Sequence, residues 1–479
     1  MKKKHLFKFL SILMTVCVMI TCVPAVPIQA ADNDLTTGVT IQRDSDSPTG
    51  YTATFVYHND TATKVELAGQ LFNFFELDDE MMDHPYTPYE WRPGLYSASP
   101  SGRLHSSPSI YYKEMEALED GYWTITLPLP SGNYPYYFAI DGDRDTRVED
   151  PANPRWYNEA SGLYSEFSMI YMPYDEKQGS SHNRSYVLPR DDMYKGEVNY
   201  EQYDIGAVTR HILVYLPYDY DSDRAAPYKT IYLTHGSGGS EMDWMTNGCA
   251  PQIMDNLIAE GLIEPAVVVS LDNNNGLGRA DVVNSLVPYI EDNYNVSALG
   301  KDRAFAGLSS GGGFTSNLYY EFPTEFGYFG VWSNGNGGQD LSALENLDFA
   351  EVMGGAGVWD PQRKYYSEMN NANQNIENFV SKLRAEGLDP AHFVVPGAHD
   401  WATWPQLFYI MANDFLSVDL TVPPDNFTQV NDLGADGSVT YTYVAPDLNV
   451  PHPMMTPVFY VYADEKFSTR EDAWTYINT

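Results

Sequence analysis

Cysteine is scarce in this sequence, with three residues among 479, at positions 17, 22 and 249. The first two lie in an N-terminal segment that is expected to be cleaved, so the mature chain keeps Cys249 alone and has no internal disulfide. Stability must therefore come from the burial of apolar surface. The chain is long enough for this, because about 100 to 200 residues usually make one domain and about two to three domains are expected here.

Positive charge is also scarce, with 28 Lys and Arg residues against 65 Asp and Glu residues and a formal net charge of −37. A surface of this sign repels both nucleic acid and anionic membranes, so neither is an expected partner. Aromatic residues are abundant instead, at 14% of the chain with 37 tyrosines. Their rings suit stacking on sugar faces and equally suit packing inside β-sandwiches.

The N-terminus has the pattern of a secretory signal. Four lysines among residues 1–8 precede a mostly apolar run, 9–26, that is too short to span a membrane comfortably. The small residues Ala30 and Ala31 suit cleavage by signal peptidase. Residues 1–30 are therefore predicted to be a signal peptide, and the mature protein is predicted to be secreted, without an integral membrane segment. A lipid anchor on Cys22 is the alternative.

The rest of the chain divides into four segments of different pattern. Residues 31–172 carry short strands broken by Asp-Gly and Ser-Gly turns, which predicts a β-sandwich. The polar stretch 173–197 is expected to be a linker. Between 198 and 419, strand-like runs alternate with helical patterns, which predicts an α/β domain with a mostly parallel sheet. Residues 420–479 are either a C-terminal extension or the start of a further, incomplete domain.

Parts of the β-sandwich segment resemble the early-set immunoglobulin-like modules attached to many carbohydrate-active enzymes. The stretches that carry this resemblance are 65–69, 120–123, 134–138 and 150–154. Some modules of this kind bind glucans through exposed tryptophans, and Trp91, Trp123 and Trp156 are the candidates here. Others only pack against the catalytic domain, and both interpretations stay open.

A glycine-rich serine motif, GLSSGGG at 307–313, follows the predicted strand 303–306 and precedes a predicted helix. This setting is typical of a nucleophile elbow, in which glycines permit a sharp turn that lifts a serine clear of the sheet. The predicted nucleophile is therefore Ser309.

A serine hydroxyl needs a base to take its proton, and the base needs a carboxylate to hold its tautomer. His399 follows the predicted strand 393–395, near the end of the domain, where an α/β-hydrolase carries its histidine. Asp360 follows the predicted strand 350–354 and lies between Ser309 and His399, which is the expected chain order. These three residues form the predicted catalytic triad.

The tetrahedral intermediate of acyl transfer needs two backbone N–H donors fixed in advance. One usually comes from the residue after the nucleophile, which is Ser310. The other comes from a loop after an early strand, and Ser237 occupies that place directly after the predicted strand 229–233. Small residues in this loop let the backbone approach the substrate oxygen.

Taken as a set, several motifs resemble carbohydrate esterase family one, in particular the feruloyl esterase domains appended to bacterial xylanases. They are HGSGG at 235–239 with DW at 243–244, LVPYIE at 286–291, GLSSGG at 307–312, and GAHDW at 397–401 with Trp404. The match spans roughly residues 196–416. The resemblance implies hydrolysis of feruloyl or acetyl esters on arabinoxylan through an acyl-enzyme on Ser309, without metal or cofactor. The segment GVWD at 357–360 is bulkier than the Gly-Thr-Asn-Asp type of run found in the family.

Tryptophans near these motifs are candidates for stacking on an aromatic acyl group; they are Trp244, Trp359, Trp401 and Trp404. The expected partner is plant cell-wall polysaccharide or a feruloylated oligosaccharide. Two alternatives remain: an enterochelin-type siderophore esterase, and a non-catalytic carbohydrate-binding protein on a hydrolase scaffold. The signal peptide argues against the first, since iron-loaded siderophores are usually opened inside the cell. The complete triad argues against the second.

Overall fold

In the computed structural model, the described residues are 36–78, 82, 84–98, 112–155, 157–158, 163–164, 167–190, 194–274, 276–360, 372–418, 427–428 and 442–443. The predicted signal peptide and most of the segment 420–479 lie outside them. Residues 30–417 form one compact unit. The second unit, 1–29 with 418–479, contributes to the described residues little more than one antiparallel strand pair, Phe427–Thr428 with Thr442–Tyr443.

The N-terminal part of the chain consists of short strands, in which side chains alternate between two faces. The strands are β1 (Gly38–Arg43), β2 (Tyr51–His58), β3 (Val65–Gly69), β4 (Phe74–Glu76), β5 (Leu95–Ser97), β6 (Tyr112–Glu114), β7 (Glu116–Ala117), β8 (Tyr122–Leu127), β9 (Gly132–Ile140), β10 (Asp143–Val148), β11 (Tyr157–Asn158), β12 (Leu163–Tyr164) and β13 (Ser168–Met172). We call residues 38–172 the two-sheet module.

Two antiparallel sheets make up most of this module. One has the order β1-β2-β8-β7, and the other has the order β10-β9-β3-β6 with β13 also paired to β9. Their inward residues share one core, in which Phe55 of β2 meets Tyr136 of β9 edge-on at 5.0 Å between ring centroids. Strands β4 and β5 form a separate hairpin. The immunoglobulin-like, early-set character of the module stays a prediction.

The α/β part of the chain contains the strands β14 (Glu197–Ile205), β15 (Val208–Leu216), β16 (Lys229–Thr234), β17 (Ala266–Leu271), β18 (Arg303–Leu308), β19 (Tyr328–Trp332), β20 (Glu351–Gly357) and β21 (Ala391–Val395). Its helices are α1 (Ala250–Ala259), α2 (Arg279–Asp281), α3 (Val287–Asn293), α4 (Ser310–Glu321), α5 (Ala372–Ala385) and α6 (Trp404–Phe415), with a π-helical turn, Val282–Leu286, between α2 and α3. Short 3-10 helices are Pro88–Glu90, Glu119–Gly121, Glu176–Gln178, Ser180–His182, Ser185–Val187 and Gly300–Asp302.

These eight strands form one sheet in the order β14-β15-β17-β16-β18-β19-β20-β21. β14 and β15 pair antiparallel and β15 is antiparallel to β17, whereas the remaining pairs are parallel. A reversed strand near one edge of an otherwise parallel sheet gives the arrangement of an α/β-hydrolase. The predicted α/β class is therefore confirmed.

Helices cover both faces of this sheet. On β16, Ile231 and Leu233 join the core cluster that contains α1 and α6, while Tyr232 joins the cluster that contains α3, α4 and α5. Every residue of β17 and β18 is buried, as expected for central parallel strands covered on both sides. Among the described residues, no helix is long and apolar enough to cross a bilayer.

Candidate active site

The candidate site lies at the carboxyl edge of the sheet, where ligands bind in open α/β folds. Ser309 follows β18, Ser333 follows β19, Asp360 follows β20, and His399 comes shortly after β21. Because these four strands are neighbours in the sheet, residues from distant parts of the chain collect at one edge.

Ser309 joins β18 directly to α4 in a sharp turn, with φ of 54° and ψ of −118°. Residues other than glycine rarely adopt a positive φ. The flanking glycines are required by close packing: a Cβ on Gly307 would lie 2.4 Å from Thr234 Cγ2, and one on Gly311 would lie 2.4 Å from the His235 carbonyl oxygen. The strand-to-helix turn expected from the glycines is therefore present.

His399 and Asp360 are in direct contact, since His399 Nδ1 donates to Asp360 Oδ1 at 2.7 Å. The Asp360 side chain is fully buried, whereas 29% of the His399 side chain is exposed. Burial lowers the pKa of His399, but the charge and hydrogen bond of Asp360, with the nearby charge of Asp400, raise it overall above the ordinary value. Nδ1 is occupied by the carboxylate, so Nε2 is the nitrogen left for proton transfer.

Ser333 and Trp404 extend this network behind the carboxylate. Ser333 Oγ donates to Asp360 Oδ2 at 2.5 Å, and Trp404 Nε1 donates to Ser333 Oγ at 2.9 Å. The Trp404 ring also meets the His399 ring edge-on at 5.3 Å between centroids. Ser333 was not among the predicted site residues, although its place directly after a parallel strand was a usable signal.

The structure thus brings His399 and Asp360 together and puts Ser309 at the same edge. It contains no hydrogen bond between Ser309 Oγ and His399, both of which are described residues. Catalytic hydrogen bonds of this kind are often long in free enzymes and tighten when substrate binds.

The predicted oxyanion donors come from the first turn of α4 and from the loop that follows β16. Ser310 is the first residue of α4, so its N–H has no acceptor within the helix. Ser237 is exposed in the loop after β16. Its neighbour Gly236 approaches the nucleophile closely, because a Cβ on Gly236 would lie 3.1 Å from Ser309 Cβ. The role of these two donors stays a prediction.

His235 fixes the same loop from inside. Its side chain is fully buried, with Nε2 bonded to Asp272 Oδ1 at 2.9 Å and Nδ1 bonded to the Gly236 carbonyl at 2.6 Å. Burial lowers the pKa of His235, but the hydrogen bonds to Asp272 and Gly236, with the charges of Asp243 and Asp272, raise it overall. Both ring nitrogens face acceptors, so the doubly protonated imidazolium satisfies both contacts.

The structure corrects two of the predicted substrate-binding tryptophans. Trp244 and Trp359 expose none of their surface, so neither ring has a face free for an acyl group. Trp244 packs against Trp401 and donates from Nε1 to the Thr234 carbonyl at 3.0 Å. Trp404 is almost as buried and serves the network described above. Of the four, Trp401 is the one that is only half-buried.

The tryptophans of the two-sheet module are also mostly inaccessible. Trp91 and Trp123 are buried and belong to the module's core, which favours the packing interpretation over glucan binding for both. Trp156 lies outside the described residues. In the described part of the chain, no group of three or more His, Cys, Asp or Glu side chains is arranged to hold a metal ion.

Comparison with known proteins agrees with this architecture. Residues 207–277 match the model of a family described as putative esterase. An endo-1,4-beta-xylanase/feruloyl esterase of Xylanibacter ruminicola is 28% identical over 316 residues, which are 61% of this chain and 40% of that protein. The predicted resemblance to feruloyl esterases is confirmed. This esterase-like chain spans less than half the length of the curated relative that it matches.

Solved structures of esterases also align with the esterase-like chain. A ferulic acid esterase from Anaeromyces mucronatus is 18% identical with a TM-score of 0.41, covering 48% of this chain and 94% of that one. The enterobactin esterase of Shigella flexneri is 15% identical with a TM-score of 0.48, covering 79% of this chain and 96% of that one. At these scores neither similarity bears on the substrate.

Proposed function

We propose that the protein is a secreted serine esterase that hydrolyses feruloyl or acetyl esters on plant cell-wall arabinoxylan. The observation that carries the proposal is the hydrogen bond between His399 Nδ1 and Asp360 Oδ1, formed at the same sheet edge as the strained Ser309 turn. A base oriented by a buried carboxylate, near a serine at a helix N-terminus, suits acyl transfer. The similarity to a xylanase/feruloyl esterase supports the substrate class.

In the acylation step, Ser309 Oγ attacks the ester carbonyl carbon while His399 Nε2 takes the hydroxyl proton. The imidazolium that forms is stabilised by Asp360, which accepts from Nδ1. The negative charge on the carbonyl oxygen is met by the backbone N–H groups of Ser310 and Ser237. The intermediate then collapses, the bond to the sugar oxygen breaks, and His399 gives its proton to the departing alcohol.

In the deacylation step, water replaces the sugar at the site. His399 Nε2 removes a proton from water, and the hydroxide attacks the acyl carbon that is bonded to Ser309 Oγ. The second tetrahedral intermediate collapses with release of the free acid, and the proton returns from His399 to Ser309. The ester is thereby cleaved with one water consumed and no cofactor needed.

The position and partial exposure of Trp401 support the proposal that the acyl group is aromatic. Its half-buried ring meets Trp404 edge-on at 4.9 Å, and Trp404 in turn meets His399. Trp401 also lines a cleft with Tyr96 and Gln406, although Ser309 and His399 are not among the residues that line this cleft. Stacking on an accessible aromatic ring favours a flat phenolic acid over an acetyl group, so Trp401 is the one of the four tryptophans that we propose for binding the acyl group.

The test compares methyl ferulate, 4-nitrophenyl acetate and acetylated xylan as substrates, with Ser309→Ala as the control. We expect release of ferulate that falls by about a million-fold in the variant, as removal of a catalytic serine does elsewhere. Activity confined to acetyl esters would move the substrate to acetylxylan. If none of the three substrates is hydrolysed, the proposal of a cell-wall esterase is wrong, and hydrolysis of enterochelin becomes the next assay.

Secretion is tested separately, because it depends on residues 1–30 rather than on the site. Expression of the full chain in a bacterial host should release protein into the medium or periplasm with a new N-terminus near Ala31. N-terminal sequencing distinguishes this product from a chain lipidated at Cys22, which would begin at that residue and remain membrane-bound.

A further inference from the structure

The two faces of the β4–β5 hairpin in the two-sheet module pack against different parts of the protein. Phe74 and Phe75 are adjacent on β4 and both are fully buried. Because side chains alternate along a strand, they point to opposite sides. Phe74 joins the core of the two-sheet module, whereas Phe75 joins a separate cluster that contains residues of the α/β part.

This separate cluster, which we call the buttress, consists of Phe75, Met82, Ala98, Trp359 and Ala398. The rings of Phe75 and Trp359 lie 5.9 Å apart between centroids. None of the five side chains is more than 1% exposed. The contact is therefore dry and closely packed, as in a domain core.

Two members of the buttress directly precede the carboxylate and the histidine of the predicted triad. Trp359 is followed by Asp360, and Ala398 is followed by His399. The backbones of the two loops are joined as well, since the Val358 amide donates to the Val395 carbonyl at 2.9 Å and the Trp359 amide donates to the Gly397 carbonyl at 3.0 Å. The two loops thus form one layer, and the hairpin packs on that layer.

The hairpin is itself anchored to the segment that connects the two parts of the chain. The Gly94 amide donates to His182 Nε2 at 2.9 Å, and the His182 ring stacks on Tyr96 at 4.3 Å between centroids. Burial, with the nearby charge of Arg184, lowers the pKa of His182 to about 4, so the ring stays neutral and keeps its acceptor. The Arg184 guanidinium continues the connection to Gln406 on α6 at 2.9 Å.

We propose that the two-sheet module is a working part of the catalytic unit, and that Phe75 is a positioning residue that holds the Asp360 and His399 loops in register through Trp359 and Ala398. This inference rests on the proposed function for its catalytic consequence, but its structural content does not. The two-sheet module would then affect kcat and would not serve only as a separate carbohydrate-binding module.

The test uses the whole chain with Phe75→Ala, Phe75→Leu as the conservative variant, and Phe55→Ala as the matched control. Phe55 is equally buried but lies in the core of the two-sheet module, outside the buttress. The first measurement is hydrogen–deuterium exchange of peptides that contain residues 357–360 and 395–399. We expect faster exchange in both loops for Phe75→Ala and exchange closer to the wild-type rate for Phe75→Leu. Exchange in these loops should not change for Phe55→Ala.

The second measurement is steady-state kinetics well below the melting temperature. Misplacing catalytic groups by about 1 Å can cost a hundredfold, so kcat should fall about 10- to 100-fold in Phe75→Ala with KM within about twofold, and Phe75→Leu should recover most of it. Unchanged loop exchange in Phe75→Ala overturns the inference, and so does an equal loss of kcat in Phe55→Ala. If wild type hydrolyses no ester but loop exchange responds as expected, the proposed function fails while the positioning by Phe75 stands.

Discussion

Removal of the Ser333 hydroxyl is expected to lower the esterase activity by weakening the support of Asp360, the carboxylate of the proposed triad. Asp360 is fully buried, and its two oxygens accept from different donors, His399 Nδ1 and Ser333 Oγ. In Ser333→Ala, Oδ2 loses this donor, and the Trp404 indole N–H loses its acceptor in the same step. The carboxylate is then free to rotate away from the geometry that orients the imidazole.

The magnitude follows from the charge on the acceptor. A hydrogen bond to a charged group contributes about 1.5–3 kcal/mol, and each ~1.4 kcal/mol corresponds to a tenfold change. If the whole contribution acts on the orientation of Asp360 in the transition state, kcat/KM falls about 10- to 100-fold. The unpaired Trp404 N–H adds a loss of about 1–3 kcal/mol in the free energy of unfolding.

The assay measures kcat/KM on methyl ferulate together with urea unfolding, for Ser333→Ala and Ser333→Gly. Ser333 has a φ of 54°, which glycine adopts without strain, so the second variant removes the hydroxyl while relaxing the backbone. Similar losses of activity in both variants assign the effect to the hydroxyl. Activity of Ser333→Ala within about twofold of wild type would refute the reasoning.

Three further outcomes are expected. The pKa of His399 is raised, and this base must be neutral to accept a proton. We therefore expect kcat/KM to increase with pH with a midpoint above histidine's ordinary pKa of 6.5, and kcat/KM should not be independent of pH below that midpoint. Gly236→Ala puts a Cβ 2.9 Å from Leu308 Cδ1 and 3.1 Å from Ser309 Cβ, so kcat should fall about 100-fold in the same assay. Asp272→Asn removes the carboxylate that holds protonated His235, and titration followed by NMR should show a lower pKa for that histidine.

The central sheet was the part most readable from the sequence. The predicted strands 229–233 and 303–306 lie within β16 and β18, because apolar runs that are buried on both faces of a sheet are readily recognised as strands. β14 was missed as a strand. Its sequence, EVNYEQYDI, is largely polar and only Tyr203 is buried, as expected for an edge strand whose pairing with β15 depends on a partner rather than on its own composition.

The start of helix α4 was also predicted incorrectly. The sequence predicted a helix after the motif 307–313, but α4 begins at Ser310, immediately after the elbow. Glycines 311–313 have poor helix propensity, which argued for a later start. Packing decides instead: a Cβ on Gly312 would lie 2.3 Å from the Trp332 carbonyl oxygen, so the first turn of the helix needs glycine to approach β19.

The environment of Trp359 could not be predicted from its neighbours in the sequence. Its position beside Asp360 suggested a ring that stacks on substrate, and the chemistry of tryptophan fits that role as well as it fits a core. Its actual partner, Phe75, comes from a hairpin early in the chain that carries no motif. Strand alternation predicts that Phe74 and Phe75 face opposite ways, but only the tertiary structure shows that Phe75 packs on the loops that carry Asp360 and His399. Residues that position a site through such long-range packing leave no local signal, and variants such as Phe75→Ala are the direct way to find them.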